Sequence, residues 1–368
     1  IAAGLFLPDG EAVLYIRYNQ DLSSELVIQD KNSSKVIPLG NQVFQPPAYS
    51  PTDHILYVTG NDIWALPFSS SSLAVTGDPF LVAENGSGPS VSADGILVYM
   101  SIPEVRRQLI RVDRNGRILD SIGDLKPDIS GPAISPDSRR IAFTSSGIWI
   151  HDLGRDVTTS LLTEGLQPAW SPSGDQVAFV SFRMDRPGIY LQAVDGSGEA
   201  TLLVSGNFRS PDWSPDGRYL MYHEDTPSGD DLRYLPLVDG DGSPPADGTS
   251  ESVLFIGTDF EESRPQISPD GRYVVYESNR SGQWEVYIRP FPGGQGREQV
   301  SNSGGWHPRW SAKSGELFYE AGNTLMVVEI QTTPTLRIGK PRKVVDGEQI
   351  GVTFSRDTTG AVYDVTPD

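Results

Sequence analysis

From Arg264 to Phe291 the chain reads RPQISPDGRYVVYESNRSGQWEVYIRPF. Apolar and polar residues alternate through Tyr273, Val275 and Glu277 and again from Glu285 to Arg289. A period of two places successive side chains on opposite faces of a β-strand. A strand start at Pro265 and Ile267 precedes them, and Ser268-Pro269-Asp270-Gly271 forms the turn. In such a turn proline presets φ, aspartate bonds its own backbone, and glycine takes the positive φ that closes the corner.

The same unit recurs along the chain. The Ser-Pro proline, or its stand-in, falls at Pro8, Pro51, Ala93, Pro136, Pro172, Pro215, Pro269, Ala312 and Pro367. A second proline sits four residues earlier, at Pro47, Pro89, Pro132, Pro168, Pro211, Pro265 and Pro308. Between the two lies a large apolar residue: Tyr49, Val91, Ile134, Trp170, Trp213, Ile267 and Trp310. Each unit reads as four short strands, as in Arg140–Thr144, Ile148–His151 and Ser160–Leu162 after the strand carrying Pro132. A strand-rich period of about 40–45 residues predicts a β-propeller. The expected fold is all-β, one domain over 1–368, with blades starting near 5, 48, 90, 133, 169, 212, 266 and 309 and a partial ninth at 361–368. Eight blades are expected, with seven as the alternative. Residues 3–7 and 361–366 both read as innermost strands, and a closed ring of eight needs only one of them. The ends, Ile1 and the Thr-Pro-Asp turn at Asp368, read as cut from a longer chain.

Composition narrows the partners. The net charge of −19 opposes nucleic-acid binding, which needs a basic face. No run approaches the roughly 18–20 apolar residues of a membrane-spanning helix, so no membrane insertion of this segment is expected. With no cysteine there is neither a disulfide nor a thiolate metal site.

Three segments carry a family resemblance: SPDGRYVVYESNRSGQWEVYIRPFPG, GGWHPRWSAKSGELFYEAGNTLMVVEI and the terminal VYDVTPD. They resemble TolB-type (WD-like, PD40) propeller repeats, and look most like the propellers fused behind the kinase domain and membrane helix of bacterial serine/threonine protein kinases. The resemblance implies a sensing or protein-interaction module in the periplasm or outside the cell, whose parent chain carries a kinase and a membrane helix. The chain itself lacks the glycine-rich loop, the His-Arg-Asp loop and the Asp-Phe-Gly motif.

Catalytic constellations are missing from the pattern. There is no G-x-S-x-G elbow, and Gly196-Ser197-Gly198 reads as a hairpin turn. His54, His151, His223 and His307 share no ligand spacing. No cofactor or metal is expected, with calcium on Asp239, Asp241 and Asp247 as the one alternative. Asp9, Asp94, Asp137, Asp216 and Asp270 recur at one repeat position, which assigns them to the turn and not to a unique active site.

Repeat geometry supplies the binding candidates. The residue before each anchor proline opens the innermost strand, so equivalents meet at the channel mouth. They run Pro46, Gly88, Gly131, Gln167, Ser210, Arg264 and His307, preceded by a ring that includes Arg209 and Trp306. The candidate patch is therefore Gln167, Arg209, Arg264, Trp306 and His307, with Glu261 and Glu262 nearby. Its partner is a protein or a small ligand with an anionic or aromatic group. Alanine at Arg264 and Trp306 is expected to spare folding and weaken binding. The leading function is a non-catalytic binding propeller. The alternatives are a propeller enzyme (a metal-assisted hydrolase or lyase, or the propeller of a peptidase) and a structural subunit of an envelope or extracellular assembly.

Overall fold

The computed structural model describes residues 4–8, 10–18, 24–37, 45–101, 106–182, 186–227, 229–238, 251–311, 315–354, 356 and 360–366. The calcium candidates Asp239, Asp241 and Asp247 lie outside them, as do residues 367–368. The strands are joined in antiparallel pairs, and the one helix among the described residues is the single turn Gly347–Ile350. The chain divides into two compact units, Ile1–Val105 and Arg106–Asp368.

In the first unit, Gly4–Phe6 opens a four-stranded sheet that runs to Ile37. A five-stranded sheet spans Ala48–Ser50 to Phe80–Ala83, and Gly86–Val91 pairs with Leu97–Ser101 as a hairpin. The second unit opens with a hairpin of Arg106–Val112 and Ile118–Pro127. Five consecutive sheets follow, spanning 130–162, 166–205, 208–256, 262–299 and 306–346; the first four have four strands and the last has five. The third repeat departs from the expected pattern. Its four strands form two separate hairpins, one in each unit, in place of one four-stranded sheet.

The repeat turn is a hydrogen-bonded device. The Ser268 hydroxyl donates to Asp270 at 2.6 Å and accepts the Tyr273 amide at 3.0 Å, while Gly271 N donates to the Ser268 carbonyl at 2.8 Å. Ser135 with Asp137 and Ser214 with Asp216 repeat it. The hydroxyl of Ser135 holds the Asp137 carboxyl below its usual range. These recurring aspartates are turn residues.

Packing explains why the second strands look less alternating than their period suggests. In Tyr273–Ser278, Val274 and Tyr276 pack towards Met221, Leu232 and Ile256 of the preceding sheet. Val275, between them, packs towards Trp310, Leu317 and Val328 of the next one. The strand is apolar on both faces because each face meets a sheet.

Candidate functional site

Each innermost strand of the second unit opens on a bulge. The register slips between Ser130 and Ala133, Leu166 and Ala169, Arg209 and Asp212, Ser263 and Gln266, and Trp306 and Arg309. The residue before the anchor proline is left-handed in all five: Gly131 (φ 56), Gln167 (53), Ser210 (52), Arg264 (50) and His307 (51). Only the first is glycine, so the bulge imposes this conformation on residues that rarely adopt it.

A left-handed residue turns its amide out of the strand ladder, and the amide needs another acceptor. The neighbouring sheet provides it. Gln167 N donates to Thr144 Oγ1 at 3.1 Å, Ser210 N to Gln167 Oε1 at 2.8 Å, Arg264 N to His223 Nδ1 at 3.4 Å and His307 N to Glu277 Oε2 at 3.1 Å. Thr144, His223 and Glu277 share one register position, paired across the ladder with Ser130, Arg209 and Ser263, and Glu320 occupies it opposite Trp306. In the 166–205 sheet that position is Val180, which cannot accept, and the side chain of Gln167 takes over.

The later sheets surround two fully buried glutamates. Glu277 accepts Arg264 Nη1 at 2.6 Å and the Ser263 hydroxyl at 2.9 Å, and lies 3.5 Å from Arg356 Nε. Glu320 accepts Trp306 Nε1 at 3.0 Å, and its Oε1 lies 3.1 Å from Nδ1 of buried His307, too poorly aligned for a hydrogen bond. Burial pushes the Glu320 carboxyl up to about 8 and the His307 imidazole well below its ordinary value. Both groups are therefore neutral near pH 7. Arg356 lays its guanidinium 3.3 Å from the centre of the Trp284 ring, and its carbonyl accepts Arg264 Nη2 at 3.2 Å. Arg209 bonds Asp225 at 2.8 Å and covers Phe182.

Arg264, Trp306 and His307 thus meet through Glu277 and Glu320. Gln167 reaches Ser210, and Arg209 stands with Asp225 beside His223. Glu261 is half-buried, and its backbone amide donates to Asn279. Glu262 is fully buried and bonds Thr258 and Ser278. His307 and Glu262 have no exposed surface to offer a partner. Arg264 is only 14% exposed and pairs with Glu277, so its removal would leave a buried carboxylate with less compensation, which argues for a folding cost where the sequence led us to expect none. Sequence reasoning weighed His223 only as a metal ligand and missed its part here, together with Glu277, Glu320, Trp284 and Arg356. The first three stand 14 residues after Arg209, Ser263 and Trp306, a spacing that would have exposed them.

Among the described residues, His223, Asp225 and Asp230 bring one imidazole nitrogen and two carboxylates within 4.8 Å of one another. The donor set does not suit a cation. The Arg264 amide occupies Nδ1 of His223, which leaves the ring proton on Nε2 facing the carboxylates, and Asp225 already holds Arg209.

Residues 163–338 match the family model of the TolB beta propeller domain. A TolB structure from Agrobacterium tumefaciens shares the fold at a TM-score of 0.50 and 19% identity, covering 63% of this chain and 85% of that one. Among curated relatives, the Tol-Pal system protein TolB of Alcanivorax borkumensis is 42% identical over 71 residues, 18% of this chain and 16% of its own. The uncharacterized peptidase YuxL of Bacillus subtilis is 25% identical over 194 residues, 41% of this chain and 29% of its own. The chain therefore spans well under half the length of these relatives.

Proposed function

We propose that this chain is a non-catalytic, periplasmic protein-interaction module whose contact surface lies where the innermost strands of residues 106–368 begin. The observation that carries the reading is the cluster of basic and aromatic groups there: Arg264, Arg356 and Trp306, held by Glu277 and Glu320, with Trp284 under Arg356 and Arg209 on Asp225. Such side chains anchor protein interfaces because they combine large contact area with directional donors. The TolB relatives, one of them a Tol-Pal system protein by name, support a role in protein assembly in the bacterial envelope. The fusion to a kinase and membrane helix expected from the sequence is part of this proposal alone; the relatives named above lend it no support. Calcium on Asp239, Asp241 and Asp247 is the alternative within this proposal.

The test is site-specific photocrosslinking in the periplasm, with the photoreactive residue at Trp306 and, as control, at the exposed Glu199 turn. The expected result is a discrete adduct from Trp306 that Arg209→Glu removes. An adduct from Glu199 and none from Trp306 would sink the reading. A second reading, the propeller part of a peptidase, is favoured by the YuxL match. Hydrolysis of peptide nitroanilides by a longer chain joining this propeller to a catalytic domain, with none by the propeller alone, would support it.

A further inference from the structure

The segment 360–366 forms no strand, yet it occupies the place of one. The Gly131 amide donates to the Ala361 carbonyl at 3.2 Å. The Ile134 amide donates to Asp364 Oδ2 at 2.7 Å, and the Tyr363 hydroxyl donates to the His307 carbonyl at 2.7 Å. One short segment thus joins the first four-stranded sheet of the second unit to the last.

The Asp364 bond copies one made between successive sheets. Ile267 N donates to Asp212 Oδ2 at 2.7 Å, and Trp310 N donates to Gln266 Oε1 at 3.1 Å. Asp212 and Gln266 each follow an anchor proline, and Asp364 follows Tyr363, which falls at the anchor position of the ninth repeat. The 130–162 sheet is the first of the five, and only the hairpin 106–127 precedes it in its unit. Its Gly131 and Ile134 amides take their acceptors from 360–366, where the later sheets take theirs from the preceding sheet. A buried amide without an acceptor is costly, so the slot demands an occupant. The present one is held mainly through main-chain groups of its host, together with one phenol and one carboxylate. Phe354 packs edge-on to Tyr363 at 6.4 Å and completes the seat.

We infer that this slot is a peptide-accepting surface, filled in cis by residues 360–366, and that it takes in their place an extended partner segment carrying an aromatic–aspartate pair. The pair is read by the carbonyl of His307 and the amide of Ile134. The slot differs from the basic and aromatic surface proposed above, so each reading can fail without the other.

The test uses the full chain carrying Tyr363→Ala and Asp364→Ala, with the fluorescein-labelled peptide GAVYDVT as probe. Fluorescence anisotropy should show binding to the double variant at least about tenfold tighter than to the unaltered chain, whose slot is filled. Changing the peptide's aspartate to alanine should weaken binding by about tenfold or more, the worth of a hydrogen bond to a charged group. Amide exchange across 130–134 should speed up in the variant and slow again on adding peptide. A folded variant that binds no peptide, or keeps 130–134 as protected as before, overturns the inference. Should the variant lose its strand signal in circular dichroism, peptide must restore it; no restoration overturns the inference equally.

Discussion

Glu320 gives the sharpest test of the electrostatics. Its carboxyl is fully buried, and burial raises it from an ordinary value of 4.5 to about 8. Between those values the folded chain holds a proton that the unfolded chain releases. Stability therefore falls as pH rises, and the loss is complete only above about 8. The two buried histidines, His223 and His307, act in the opposite sense. Burial lowers both, so they favour the fold as pH rises, but that effect ends near 6.5, where the unfolded imidazole stops titrating. Asp212 and Asp230, raised by burial to about 7 and about 6, add to the Glu320 trend only up to those values. The window from pH 6.5 to 8 thus isolates Glu320 best. At about 1.4 kcal/mol per pH unit, halved by pH 8, it should destabilise the fold by about 1.6 kcal/mol across that window. Glu320→Gln keeps an acceptor for Trp306 and removes the titration. Because a chain of two compact units need not melt in one step, the assay is native-state amide exchange of strand Glu316–Ala321. Corrected for intrinsic rates, protection in the unaltered chain should fall about 15-fold from pH 6.5 to 8. In Glu320→Gln it should fall far less. The same pH dependence in both proteins would refute the assignment of a buried, protonated Glu320.

Other positions make separate predictions. Arg264→Ala, which leaves Glu277 buried with less compensation, should cost about 3–5 kcal/mol in urea unfolding, against about 1 kcal/mol or less for Arg209→Ala, whose partner Asp225 is 34% exposed. Equal effects would contradict the buried-glutamate argument. Ser268→Ala removes both turn bonds of a fully buried hydroxyl and should lower stability by about 1–3 kcal/mol, read from the urea midpoint. At Gly188 an added Cβ would collide with the Val204 carbonyl oxygen, so Gly188→Ala should destabilise by about 1–3 kcal/mol. A neutral outcome would mean that the outer strand Thr201–Ser205 shifts freely.

The sequence by itself determined the repeat, its turn chemistry and the strand order within each sheet, because these are local. Ser-Pro-Asp-Gly folds through contacts spanning five residues, and period-two alternation needs only the chain's own geometry. It also located the positions before the anchor prolines, where five consecutive sheets of the second unit carry a left-handed residue. Tertiary structure decided what those positions do. Whether Arg264 faces a partner or a buried carboxylate depends on Glu277 across the ladder. That His307 is hidden depends on Glu320 and on Tyr363, 56 residues away in the chain. The division at Val105 and the parting of the third repeat into two hairpins also lay beyond the repeat pattern. The pattern specifies which strands can pair, but the sheet a strand joins is set by the long-range packing of its two faces.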